Sequence, residues 1–181
     1  MRRWMILFLV LVVLAAIPLL MAASWVVTQS ALDATSGEPF CGSCHVMAPL
    51  VAAYREDVHG GNNDQGLAAR CTDCHVPHDS ARNHLIGKVA TSLHSGWGQV
   101  TYSIGLNKID WQAKREDRAR FVFDSGCLMC HAELDRDTNP HYPIHSLYFA
   151  DPEAMACVTC HPKVGHHDLD SRLAPPTPSG S

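Results

Sequence analysis

The sequence predicts a mainly α-helical protein: a single N-terminal transmembrane helix followed by a small helical multihaem domain with little or no sheet. Three observations predict this. Residues 4–27 form a run of 24 without a charge. Farther on, Leu85, Ile86, Val89 and Leu93 recur at helical spacing, and no stretch alternates apolar and polar residues as a half-buried strand does. The string C-x-x-C-H occurs four times, and two cysteines followed directly by histidine form the attachment signature of c-type haem.

The anchor comes first. At about 1.5 Å rise per residue, the run from Trp4 to Val27 is long enough to cross a hydrocarbon core of about 30 Å. Trp4 and Trp25 stand at its ends, where indole rings favour the membrane interface. Arg2 and Arg3 place the N-terminus in the cytoplasm by the positive-inside rule. Pro18 is tolerated, because a membrane span absorbs a kink. The competing reading is a cleaved signal peptide, but its apolar region is shorter and Met21-Ala22-Ala23 is an imperfect cleavage site. Residues 1–27 are therefore read as cytoplasmic terminus and anchor, and the polar residues 28–40, with Gly37 and Pro39, as a connector.

The haem domain is expected over residues 41–168. Its thiols are Cys41 and Cys44, Cys71 and Cys74, Cys127 and Cys130, and Cys157 and Cys160; the histidines that follow are His45, His75, His131 and His161. A lone C-x-x-C fits a zinc half-site or a redox disulfide equally well. Four complete strings that use all eight cysteines do not. Four covalently bound haem c groups follow, and so does a bacterial inner membrane protein with its head in the periplasm, since attachment of this kind happens outside the cytoplasm. A chain of 181 residues wraps four macrocycles thinly, so the haems should supply much of the apolar core. The net charge of −4 and the scattered Lys and Arg exclude a nucleic-acid binder.

Within the head, Cys71 follows Cys41 by 30 positions and Cys157 follows Cys127 by 30, while 56 separate Cys71 from Cys127. This suggests two haem pairs and a possible duplication. A second helix should begin after Asp110, a good N-cap, and run from Trp111 to Phe123. Gly96, Gly98 and Gly105 suggest an irregular link between the helices. Residues 169–181, with Pro175, Pro176 and Pro178, read as a disordered tail.

With these features in place, the chain resembles the NapC/NirT/NrfH family of membrane-anchored tetrahaem quinol dehydrogenases. The resemblance rests on the anchor, the four attachment sites, Met47 two residues after His45 and the string Cys74-His75-Val76-Pro77-His78. Ser125 before the third site, and His145 and His166 flanking the fourth, add to it. It implies a helical periplasmic head that takes electrons from menaquinol or ubiquinol and passes them to a periplasmic reductase of nitrite or nitrate type. A homo-oligomer, or a complex with that partner, belongs to the same expectation. It also implies proximal ligands His75, His131 and His161, distal ligands His59, His145 and His166, and Met47 in place of His45 on haem 1; the other reading keeps His45 on that iron and makes Met47 a packing residue. His141 and His167 are the nearest substitutes among the distal candidates. His166, five residues past His161, should reach a neighbouring haem. Histidine on both faces gives a low-spin iron suited to electron transfer.

Quinol oxidation releases two protons as well as two electrons, so a titratable group is needed near haem 1. Lys88 matches the lysine of the family; on spacing alone it would be a surface residue of an amphipathic helix. Relatives carry an acid about six positions later, where this chain has His94, a residue that can accept a proton or, in the other reading, coordinate haem 1 directly and close its open face. The same parts also suit reverse flow, from a periplasmic dehydrogenase such as a hydroxylamine-oxidising enzyme to quinone. An anchored electron carrier with no quinone site is the third reading.

Overall fold

The structure is a computed structural model and describes residues 2–173. Helix α1 spans Arg2–Ala34 and buries no residue against the rest of the chain. It continues past Val27 through seven more residues, all but Leu32 polar or small, because Thr28 to Ala34 holds neither glycine nor proline. The connector thus shrinks to three residues before α2, Glu38–Cys41. Hydroxyls close the end of α1: Thr35 Oγ1 donates to the Ala31 carbonyl at 2.7 Å and Ser36 Oγ to that of Leu32. These carbonyls would otherwise be orphaned at a helix C-terminus.

Among the described residues the head contains eight further α-helices: α3 (Ala48–Glu56), α4 (Cys71–His75), α5 (Ala81–Ser103), α6 (Trp111–Glu116), α7 (Asp124–Cys130), α8 (Tyr142–Ala150), α9 (Cys157–Cys160) and α10 (Leu169–Leu173). Among the described residues there is no strand; Gly60 and Ala68 form one isolated bridge. The mainly helical expectation is met.

Three local expectations are corrected. Helix α5 starts at its Ser80 cap, which accepts the Asn83 N–H at 3.2 Å, and runs through Gly96 and Gly98 without a break. It stops at Gly105, whose φ of +74° suits a glycine after a helix end. A Cβ at Gly96 or Gly98 would meet nothing within 4 Å. Gly96→Ala or Gly98→Ala should therefore stabilise the holoprotein by up to about 1 kcal/mol each, measured by chemical denaturation.

Helix α6 begins as expected at the Asp110 cap, whose Oδ1 accepts the Ala113 N–H at 3.0 Å, but it ends at Glu116 and is followed by a single 3₁₀ turn over Arg118–Arg120. The reason is tertiary. Phe123 N–H donates to the Cys74 carbonyl at 2.9 Å, and the Phe121 carbonyl accepts from His75 Nδ1 at 2.7 Å. A continuous helix to Phe123 would need those groups for itself.

The third correction concerns the start of the tail. Leu169 is buried and α10 packs on α3, held by ion pairs Arg172–Glu56 and Arg115–Asp170. The expected disorder beyond Leu173 falls outside the described residues.

Protein–protein packing buries few apolar side chains: Ala53, Val76, Val158 and Leu169 among the described residues. Helix α4 packs closely on α7. A Cβ built on Gly126 would lie 1.7 Å from the Asp73 carbonyl oxygen, so only glycine permits this approach. His78 N–H donates to Ser125 Oγ at 2.9 Å beside it.

Candidate functional site

The four C-x-x-C-H segments meet in sequence order. The thiols of Cys41 and Cys71 lie together: the Cys71 thiol holds Cys41 down to about 7, while the same contact and burial push Cys71 up. Segments 2 and 3 are joined by α4 on α7, across Gly126. Segments 3 and 4 meet where Cys127 and Cys157 come within 4.8 Å of each other and of Asp124. Both cysteines belong to attachment signatures, so this cluster marks the meeting of two haem sites. Asp124 accepts the Cys157 N–H with both oxygens, at 3.0 and 3.1 Å. The two 30-residue intervals thus correspond to two spatial pairs of attachment sites.

Six histidines form three facing pairs. His75 faces His166, His131 faces His59 and His161 faces His145, each with ring centroids 6.2 Å apart. That spacing is too wide for ring contact and matches a shared metal. With metal–nitrogen bonds of about 2.0 Å and a centroid about 1.2 Å behind each nitrogen, rings on opposite sides of one ion sit about 6.3 Å apart. His78 and His84, by contrast, pack at 4.6 Å and bond to the backbone carbonyls of Thr72 and Pro77.

Hydrogen bonds orient the paired rings. Nδ1 of His75 donates to the Phe121 carbonyl at 2.7 Å, that of His166 to Leu50 at 3.0 Å and that of His145 to His141 at 2.9 Å. Nδ1 of His59 donates to Asp57 Oδ1 at 2.9 Å. A carbonyl can only accept, so the proton sits on Nδ1 and the Nε2 lone pair is free for a metal. Burial lowers the pKa of His75 and of His166, which keeps both rings neutral as ligands must be. The residues present therefore fit covalently attached iron porphyrins. Asp57 and Asp124 were missed by sequence reading; an acid two residues before a ligand histidine, or at the first turn of an attachment helix, is the available signal.

The first segment differs. His45 is exposed and faces no second histidine among the described residues, whereas Met47, on the same 3₁₀ turn His45–Met47, is half-buried. Of the substitute histidines, His141 offers its carbonyl to His145, and His167 donates its backbone N–H to Ala53 at 3.1 Å.

Lys88 is buried, contrary to the expectation that spacing alone would set. Its Nζ donates to Ser36 Oγ at 2.6 Å and to the Leu32 carbonyl at the end of α1. Desolvation lowers its pKa, the nearby Arg70 lowers it further, and Asp33 and Cys41 oppose the shift. Arg70 Nη1 donates to Asp33 Oδ1 at 3.0 Å, a second tie between α1 and the head. His94 lies six residues farther along α5 and is exposed. Six residues turn a helix by about 240°, so His94 and Lys88 do not share a face. Ser36, also missed in the sequence, is the buried partner of Lys88.

Comparison with known proteins gives the family and the fold. The chain is 32% identical over 153 residues to the denitrification system component NirT of Stutzerimonas stutzeri, covering 79% of this chain and 74% of that one. It is 32% identical over 154 residues to the tetrahaem c-type cytochrome CymA of Shewanella oneidensis, covering 77% and 80%. A crystal structure of the cytochrome c nitrite reductase NrfHA complex bound to the HQNO inhibitor contains a chain of the same fold, with TM-score 0.53, 21% identity and coverage of 87% and 90%. The profile of the NapC/NirT cytochrome c family, N-terminal region, matches residues 2–171. With an apolar anchor, four haem attachment strings and a helical head in the places this profile covers, the chain belongs to the NapC/NirT cytochrome c family.

Proposed function

We propose that this protein oxidises membrane quinol and passes the electrons, through four haem c groups, to a periplasmic reductase in nitrite- or nitrate-type respiration. The observation that carries this reading is Lys88, buried where the end of the membrane helix meets the first haem segment. The names of the relatives support it: NirT is a component of a denitrification system, and a chain of this fold occurs in the cytochrome c nitrite reductase NrfHA complex. The haems, when bound, supply one-electron transfer. The rest is the work of the chain. His75 with His166, His131 with His59, and His161 with His145 would hold the iron of three haems, and the Nδ1 hydrogen bonds of His59, His75, His145 and His166 fix the orientation of those rings. Met47, the half-buried member of its turn, would serve the first iron in place of exposed His45.

At the entry point, Lys88 can hydrogen-bond a quinol oxygen, and its lowered pKa makes the neutral amine more accessible, a form that accepts a proton the quinol releases. Ser36 holds its Nζ at the level where α1 leaves the bilayer. His94 stays outside this cluster and is left without a role in proton transfer at Lys88. The four attachment segments, met in sequence order, define a path from the bilayer to the fourth site. The periplasmic side then follows from Arg2 and Arg3 on the opposite end of α1.

In proteoliposomes, Lys88→Met should slow quinol-dependent haem reduction about 100-fold, while dithionite still reduces all four haems. Unchanged quinol kinetics would leave an anchored carrier with no quinone site. Measured haem potentials against those of the host quinone pool decide the direction of flow; haems well above the pool support quinol oxidation.

A further inference from the structure

Helix α5 is inverted relative to a surface helix of a soluble protein. Its inward side carries His84, which packs on His78, Gly87, which abuts Pro77, and buried Lys88. Its outward side carries Ile86, Val89, Leu93, Trp97, Val100 and Ile104, spaced by three or four residues and all about half or more exposed, with Trp97 at 71% and Leu93 at 69%. At about 100° per residue these six fall within an arc of about 80°. From Val89 to Asn107 no Asp, Glu, Lys or Arg occurs. A solvated helix face would be charged.

We infer that this outward stripe of α5 rests on the lipid surface, so that the head is held against the membrane along a helix as well as by its anchor. Continuity with α1 fixes the occupant. Lys88 is hydrogen-bonded to Ser36 and to the Leu32 carbonyl. Leu32 lies about 7.5 Å beyond Val27 along the helix, at the outer edge of the headgroup layer that adds about 5–7.5 Å on each side of the hydrocarbon. The start of α5 is thereby held at the bilayer surface, and 23 residues extend about 34 Å from that region. Trp97, on the stripe, provides an aromatic side chain of the kind that favours such an interface.

Two other occupants fit less well. A haem on the first segment lies on the opposite side of the helix, since Cys41 is the thiol that bears on Lys88. A second copy paired along this seam would be expected to carry charged residues flanking it, and the stretch has none.

The test uses the full-length holoprotein in lipid nanodiscs, with the photo-crosslinking residue p-benzoylphenylalanine placed singly at Leu93, Trp97, Val100, Ser95 or, as a membrane control, Leu14. Illumination should give lipid adducts by mass spectrometry at Leu93, Trp97 and Val100 comparable to Leu14 and several-fold above Ser95. Haem-stained dimers on denaturing gels from the stripe positions would overturn the inference in favour of a second copy. Haem or intrachain adducts without lipid, or no adduct while Leu14 reacts, would overturn it equally. Haem staining and the visible spectrum certify each variant as folded, and three stripe positions guard against loss of any one.

Discussion

His166→Ala is expected to convert one haem from low to high spin and to cut electron throughput by at least about 100-fold, since losing a group that only supports a metal ligand already costs up to about that much. The reason is geometric. His166 faces His75 across 6.2 Å, and its ring is held by the Leu50 carbonyl. Removing it leaves His75 as the sole histidine on that iron. The effect lands in the middle of the series, because His75 belongs to the second of four segments. His166→Met should restore a six-coordinate iron but raise its potential, as methionine does on haem. Redox titration with visible and electron paramagnetic resonance spectra reads both outcomes. A spectrum of the alanine variant that stays fully low-spin would rule out the pairing and turn attention to His167. Asp57→Asn is the milder companion: it weakens the bond that orients His59, and should shift the potential of the haem held by His131 and His59 while leaving it low-spin.

Gly126→Ala is expected to destabilise the holoprotein by about 3 kcal/mol, a fall in melting temperature of about 10 °C. The added methyl would sit 1.7 Å from the Asp73 oxygen and 2.9 Å from its carbon. Backbone, unlike the end of a flexible side chain, cannot swing aside. The substitution therefore separates α4 from α7, and with them the second and third haem segments. It should also break the Phe123 N–H bond to the Cys74 carbonyl. Differential scanning calorimetry checks the stability, and the rate of intramolecular electron transfer after flash reduction checks the spacing. Gly98→Ala, in open space on α5, is the internal comparison. A Gly126→Ala protein as stable as the Gly98→Ala protein would show that the two segments do not pack as described.

Much of the site was legible because its chemistry is local. A thioether needs two thiols at fixed spacing and a histidine beside them, so four C-x-x-C-H strings announce four attachment points without any tertiary information. The anchor is equally local, since an uncharged run of 24 residues has few other uses. Helix ends were less legible. The end of α6 depends on Phe121 and Phe123 giving their backbone groups to His75 and Cys74, residues about 46–49 positions earlier. Gly96 and Gly98 misled because their helix penalty is small beside the rest of a 23-residue helix.

The sequence by itself determined the covalent chemistry, the membrane span and the helical class, because each is written in neighbouring residues. Only the tertiary structure decided which histidine faces which, that Lys88 closes on Ser36 at the foot of the membrane helix, and that the attachment segments follow one another in space. Those facts depend on contacts between distant parts of the chain, such as the Asp73 carbonyl over Gly126. A periodicity or a motif reports what a residue needs, and a fold alone reports where that need is met.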